Sequence, residues 1–164
     1  MKYLLDSDVF IQAKNLHYGL DFCPAFWEWL IGANAGGIVF SIEKVGDEIE
    51  AGADELAEWA AGRGDGFFLK PDSGTLPALA EVSRWATSQN YEPAAVNTFL
   101  QKADFYLVAQ ARALQYTVVT HEVAAASTKK IKIPNVCIGM GVKCISPYEM
   151  LRYERARFVL RHQG

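Results

Sequence analysis

Short apolar runs alternate along this chain with longer segments of helical periodicity, and this alternation limits the fold more than any other property. Residues 2–6 (KYLLD), 37–41 (GIVFS), 66–71 (GFFLKP), 116–120 (YTVVT) and 142–146 (VKCIS) read as strands. Between and after them, residues 7–15, 24–35, 42–52, 53–64, 75–89, 92–103, 104–115 and 147–160 read as helical. Pro24 suits a helix start, and Gly52 and either Gly62 or Gly64 suit helix ends. Strands written as nearly continuous apolar runs belong to sheets covered on both faces. The expectation is therefore an α/β fold with three layers, α/β/α, around a mainly parallel sheet. The 164 residues form one domain (1–164) large enough to bury a real core. In such sheets, sites gather beyond the carboxyl ends of the strands at a topological switch point.

Acidic residues stand where that rule places a site. Asp6 and Asp8 follow the first apolar run, and Glu122 follows the "VVT" run. Glu48 lies in "VGDEIEAG", and Asp104 opens "DFYLVAQARAL". A carboxylate beside a core is costly unless its charge is compensated. Several at strand ends and helix starts suggest one shared compensator, and a divalent cation with oxygen ligands is the simplest. Each acid also has a plainer reading. Asp6, Ser7 or Asp8 could cap the following helix, although only one residue can be the cap. Asp104 could be an N-cap or a favourable charge at the positive end of its helix. Glu122 could belong to an ordinary polar loop. Helical phase separates the acids of residues 42–52: Val45 and Ile49 mark the buried side, and Glu48 lies about 60° from Val45. Glu43, Asp47 and Glu50 point roughly 140–200° away, toward solvent. Glu48 is thus the acid of that helix placed to reach an inward site.

Other features are less specific. His121 could hydrogen-bond a phosphate, move a proton, or simply sit at the surface. Lys129, Lys130 and Lys132 form the densest basic patch, either a solvated edge or a means of steering phosphates. Trp27, Trp29, Trp59 and Trp85 have apolar neighbours and are expected in the core. The net charge of -3 argues weakly against a general nucleic-acid binder, but a carboxylate cluster biases the total until cations bind. Cys23, Cys137 and Cys144 are odd in number and form no CxxC pair. This argues against a disulfide framework or a zinc–thiolate site and suggests the reducing cytoplasm. No apolar run approaches the roughly 18–20 residues that span a bilayer, so no membrane association is expected. Aspartates interrupt the N-terminal apolar stretch too early for a signal peptide.

Taken in order, "LLDSDVFI", "VGDEIEAG", "ADFYLVAQA" and "VVTHE" resemble the motifs of the PIN-domain ribonucleases. The nearest likeness is to a bacterial PIN-like branch with an "FWEWL" helix and a "VTHE…KIP" segment. The resemblance spans nearly the whole chain and matches Asp6, Glu48, Asp104 and Glu122 to that family's catalytic acids. It implies Mg²⁺- or Mn²⁺-dependent hydrolysis of RNA phosphodiester bonds, often by the toxin of a toxin–antitoxin pair. Asp6 and Asp104 would be the central metal ligands, with Glu48 and Glu122 holding metal directly or through water. Ser7 and Thr120 would orient water or bind phosphate. Two positions depart from the pattern: Glu122 replaces the commoner aspartate, and Asp8 replaces a frequent asparagine and adds a possible ligand. The implied partners are RNA, an antitoxin protein and a second copy of the chain. Two alternatives stand beside this one. One is a catalytically weak PIN-like module that binds RNA or protein. The other, a flavodoxin-like or phosphatase domain, is weakened by the lack of a glycine-rich phosphate loop.

Overall fold

The computed structural model describes residues 1–161. Five parallel strands form the central sheet in the order β3-β2-β1-β4-β5. They are β1 (Tyr3–Leu5), β2 (Val39–Ile42), β3 (Phe68–Leu69), β4 (Thr117–Val119) and β5 (Cys144–Ile145). Helices cover both faces, giving the expected three layers; every described strand is parallel, where a mainly parallel sheet was expected. The register aligns Tyr3 with Val39 on one side and with Thr117 on the other. Tyr3, Leu4 and Leu5 of the central strand are wholly buried, as a strand covered on both faces requires.

The chain adds β2 and β3 on one side of β1, then returns to place β4 on the other side. The switch point therefore lies between β1 and β4. On the first side, β1 leads into α1 (Ser7–Gln12) and a π-helical turn (Ala13–His17), then α2 (Pro24–Ala35). Then β2 leads into α3 (Glu43–Glu50) and α4 (Glu55–Ala61). The return runs through α5 (Thr75–Ser88), α6 (Pro93–Leu100) and α7 (Ala103–Leu114). After β4 come α8 (Ile133–Met140), β5 and α9 (Pro147–Tyr153). The tryptophans are in or against the core: Trp27 is buried, and Trp29, Trp59 and Trp85 pack on it half-buried. Trp27 and Trp59 meet edge to face at 5.0 Å.

Some elements differ from the sequence expectation. Helix α8 was not anticipated, because its β-branched residues are weak helix formers. Its punctuation is nonetheless regular, with Pro134 in the first turn and Gly141 in the left-handed region after its end. Helix α9 was expected to reach residue 160 but stops at Tyr153. Arg155 takes a left-handed φ of 55°. Its N–H donates to the Arg152 carbonyl, and the Ala156 N–H donates to that of Leu151, which is a Schellman ending. The buried Tyr3 hydroxyl donates to Glu154 at 2.7 Å, anchoring this turn to the central strand. At the end of α3, Ala53 rather than Gly52 takes the left-handed conformation.

Candidate functional site

Strands β1 and β4 end side by side at Leu5 and Val119, and the residues that follow form an acidic centre. Asp6 is the N-cap of α1, and its Oδ1 accepts the Ser7 N–H at 2.8 Å. The capping reading of Asp6 therefore holds, but it occupies only one carboxylate oxygen. The other accepts the Thr120 hydroxyl at 2.8 Å. Asp8, in the first turn of α1, lies 3.1 Å from the same hydroxyl, and both its oxygens lie 3.2 Å from the His121 N–H. The Thr120 oxygen in turn accepts the Glu122 N–H at 3.1 Å. Thr120 thus holds one hydroxyl proton between two carboxylates, and it is 2% exposed. When Asp6 carries a proton of its own, both contacts can be hydrogen bonds at once.

The remaining acids come from flanking helices. Glu48 lies on the exposed side of α3, yet its Oε1 is 3.5 Å from the Ser7 hydroxyl. Asp47 and Glu50 are exposed and Glu43 half-buried; all three line a further cleft on α3, and Asp47 also lines the one that holds Glu48 and Asp104. The helical phase is thus met in part: Glu48 reaches Ser7, but Glu43 is half-buried and Asp47 shares the Glu48–Asp104 cleft. Asp104 is not the cap of α7: Lys102 holds that position and Asp104 follows within the first turn, half-buried. Glu122 is more than part of a polar loop, because its Oε2 accepts the Ile133 N–H at 2.9 Å and so caps the start of α8.

These carboxylates perturb one another. Burial, then the charges of Asp8 and Asp104, push Asp6 well above the ordinary carboxylate range; the Thr120 hydrogen bond opposes this and Glu122 adds to it. Burial and then Glu122 raise Asp104 to about 6, with Lys102 opposing and Glu48 adding. Burial lowers His121, against the pull of Asp8. Among the described residues, the ion pairs join Lys14 to Asp54, Lys70 to Asp65 and Arg112 to Glu81, and none reaches the acidic centre. An all-oxygen group of acids with no ion-paired lysine or arginine among the described residues suits a hard cation such as Mg²⁺ or Mn²⁺. Among the described residues, however, no three His, Cys, Asp or Glu side chains already surround one ion position. Ligation would require these carboxylates to draw together.

The basic patch divides. Lys129 and Lys130 are exposed and line a cleft of about 250 Å³, while Lys132 is half-buried at the N-cap of α8. Lys102 lines that cleft and also a neighbouring one of about 410 Å³, whose lining includes Lys44, Asp47, Glu48 and Asp104. Lys44 is held 4.2 Å over the Tyr106 ring. Sequence reasoning passed over Lys44 and Lys102. Their signal was spacing, since Lys44 precedes Glu48 by one helical turn and Lys102 precedes Asp104 by two residues. It also passed over His17 and Tyr148, whose rings each lie within 5.6 Å of the His121 ring.

No helix among the described residues is long and apolar enough to cross a membrane. No curated protein and no solved structure matches the chain. The profile of a family described as a domain of unknown function, DUF4411, matches residues 3–158. A match over nearly the whole chain identifies it as a member of the DUF4411 family.

Proposed function

We propose that this chain is a cytoplasmic, Mg²⁺- or Mn²⁺-dependent endoribonuclease with a PIN-like site, and the toxin of a toxin–antitoxin pair. One observation carries the nuclease reading: at the switch point the charges of Asp8, Asp104 and Glu122 act on Asp6 and those of Glu122 and Glu48 on Asp104, and no described lysine or arginine forms an ion pair with them. The toxin role and the antitoxin partner rest on the motif resemblance alone.

Asp6 and Asp104 would hold the cation, with Glu48, Glu122 and Asp8 as further or water-mediated ligands. A bound divalent cation supplies an activated water and neutralises charge on the phosphodiester. Ser7 and Thr120 orient the carboxylates and present hydroxyls to water or a phosphate oxygen. Lys44 and Lys102 line the cleft that holds Glu48 and Asp104, Lys102 also lines the cleft of Lys129 and Lys130, and these lysines would offset the charge of an approaching polyanion. Cleavage of a mixed-sequence RNA in Mn²⁺ but not in EDTA, with Asp104→Asn inactive, is the expected result. Equal cleavage by Asp104→Asn would leave no intrinsic activity to explain. A catalytically weak PIN-like module that binds RNA or protein is the second reading. It is favoured by the open placement of the acids, of which no described three surround one ion position. RNA binding without turnover by protein whose melting temperature rises with Mn²⁺ would select it.

A further inference from the structure

The acidic centre has unlike flanks. Toward β2 and α7 the neighbouring clefts are lined by Lys44 and Lys102. On the β5 side, beyond β4, stands a group of rings outside the apolar core. His17 ends the π-helical turn, His121 follows Thr120, and Tyr148 is in the first turn of α9. Their centroids are 5.5 Å (His17–His121), 5.6 Å (His17–Tyr148) and 5.6 Å (His121–Tyr148) apart. The Tyr148 hydroxyl and His17 Nε2 are 3.0 Å apart, which sets the orientation of both rings. Tyr148 is 37% exposed, and both histidines are half-buried. The group is joined to the acids through the His121 N–H, which contacts Asp8.

An aromatic cluster serving only to pack would be buried, like the Phe10, Phe67 and Phe68 group. This one lies at the surface, one residue beyond a hydroxyl that contacts two carboxylates. It is attached through main chain and a side-chain hydrogen bond and keeps ring surface open to solvent. π-Helical turns also recur at functional sites. The geometry points to a base-stacking subsite formed by His17, His121 and Tyr148, which takes a nucleobase of single-stranded RNA beside the acidic centre. The lysine flank takes the phosphates and the ring flank takes the base. Stacking is tolerant of base identity because every base has a π-face, so the subsite selects unpaired strands rather than a sequence. This inference rests on the ribonuclease reading.

The test uses a short mixed-sequence RNA carrying 2-aminopurine and an abasic oligomer of the same length, with full-length protein and Mn²⁺, every protein including the wild-type reference carrying Glu48→Gln so that the probe stays intact. Probe integrity is checked on gels. Tyr148→Ala should weaken RNA binding about ten-fold and abolish the 2-aminopurine quenching seen with wild type. Tyr148→Phe keeps the ring but loses the contact with His17, and should retain quenching with a smaller loss of RNA affinity than Tyr148→Ala. On the abasic oligomer all three proteins should bind alike. His17→Ala, at a different element, should reproduce the Tyr148→Ala loss if that variant folds poorly. Unchanged RNA affinity in Tyr148→Ala, or an equal loss on the abasic oligomer, would overturn the subsite and leave the ribonuclease reading standing. Failure of wild type to bind either probe would remove both.

Discussion

Replacing Asp104 by asparagine should stabilise the protein in the absence of metal. The ordinary aspartate pKa of 3.8 is raised to about 6 in the fold, chiefly by burial and then by Glu122. With the folded value above the unfolded one, the folded state holds the extra proton between those values. Stability therefore falls as pH rises through that window and stays reduced above it. At 1.36 kcal/mol per pH unit, the gap corresponds to about 3 kcal/mol of penalty at neutral pH. Asp104 is half-buried, and screening reduces the recoverable part, so about 1–3 kcal/mol is expected. For a domain of this size that is a rise of roughly 3–10 °C in Tm.

The assay is thermal melting of wild type and Asp104→Asn from pH 4 to pH 8, in EDTA and in Mn²⁺. In EDTA the two curves should nearly coincide at the acidic end and separate as pH rises, with the variant more stable. In Mn²⁺ the order should narrow or reverse, because wild type gains stability from the ion it binds and the variant gains little. A variant that melts lower than wild type at neutral pH in EDTA would refute the reasoning. It would mean that Asp104 serves mainly as a favourable charge at the start of α7.

Thr120→Val keeps the shape of the side chain and removes the hydroxyl between Asp6 and Asp8; it should cost about 1–3 kcal/mol in urea unfolding and weaken Mn²⁺ binding by calorimetry, and unchanged values for both would dismiss the bridging role. Glu48→Gln should strongly reduce RNA cleavage in a gel assay while Glu43→Gln and Glu50→Gln behave like wild type, and equal losses would place the wrong face of α3 toward the site. Joint replacement of Lys102, Lys129 and Lys130 by alanine should weaken RNA binding and flatten its salt dependence; cleavage at saturating RNA should change much less, and an unaltered salt slope would rule these lysines out as phosphate contacts.

The layering was legible because its signal is local: each strand is a short apolar run and most helices carry a periodic buried stripe. What was missed depends on distant contacts. The end of α9 is set by a left-handed Arg155 and by the hydroxyl of Tyr3, which lies 151 residues from its partner Glu154. Nothing in the sequence after Tyr153 announces that stop. Helix α8 was hidden by its isoleucines and valine, and its cap, Glu122, lies 11 residues upstream of the N–H it accepts. In the site, the strand-end acids were visible because a strand end is visible. The ring cluster was not, since His17 and Tyr148 are 131 residues apart and meet only once β5 is placed beside β4.

Capping can be set against the cation reading one oxygen at a time. It accounts for Asp6 Oδ1 on Ser7 and for Glu122 Oε2 on Ile133. Main-chain and hydroxyl donors account for Asp8 and for the other oxygen of Asp6. It does not account for Asp104, which sits past the cap of α7 and whose ionised form is disfavoured by burial and by two other carboxylates. Nor does it account for Glu48, which faces that same crowded carboxylate although the exposed surface of α3 offers it water. A helix-end role would place one acid at each N-terminus and keep the acids apart. This chain instead brings acids from the ends of β1 and β4 together with acids on α3 and α7. That arrangement disfavours the ionised form of Asp104, and the proposed divalent cation would offset it.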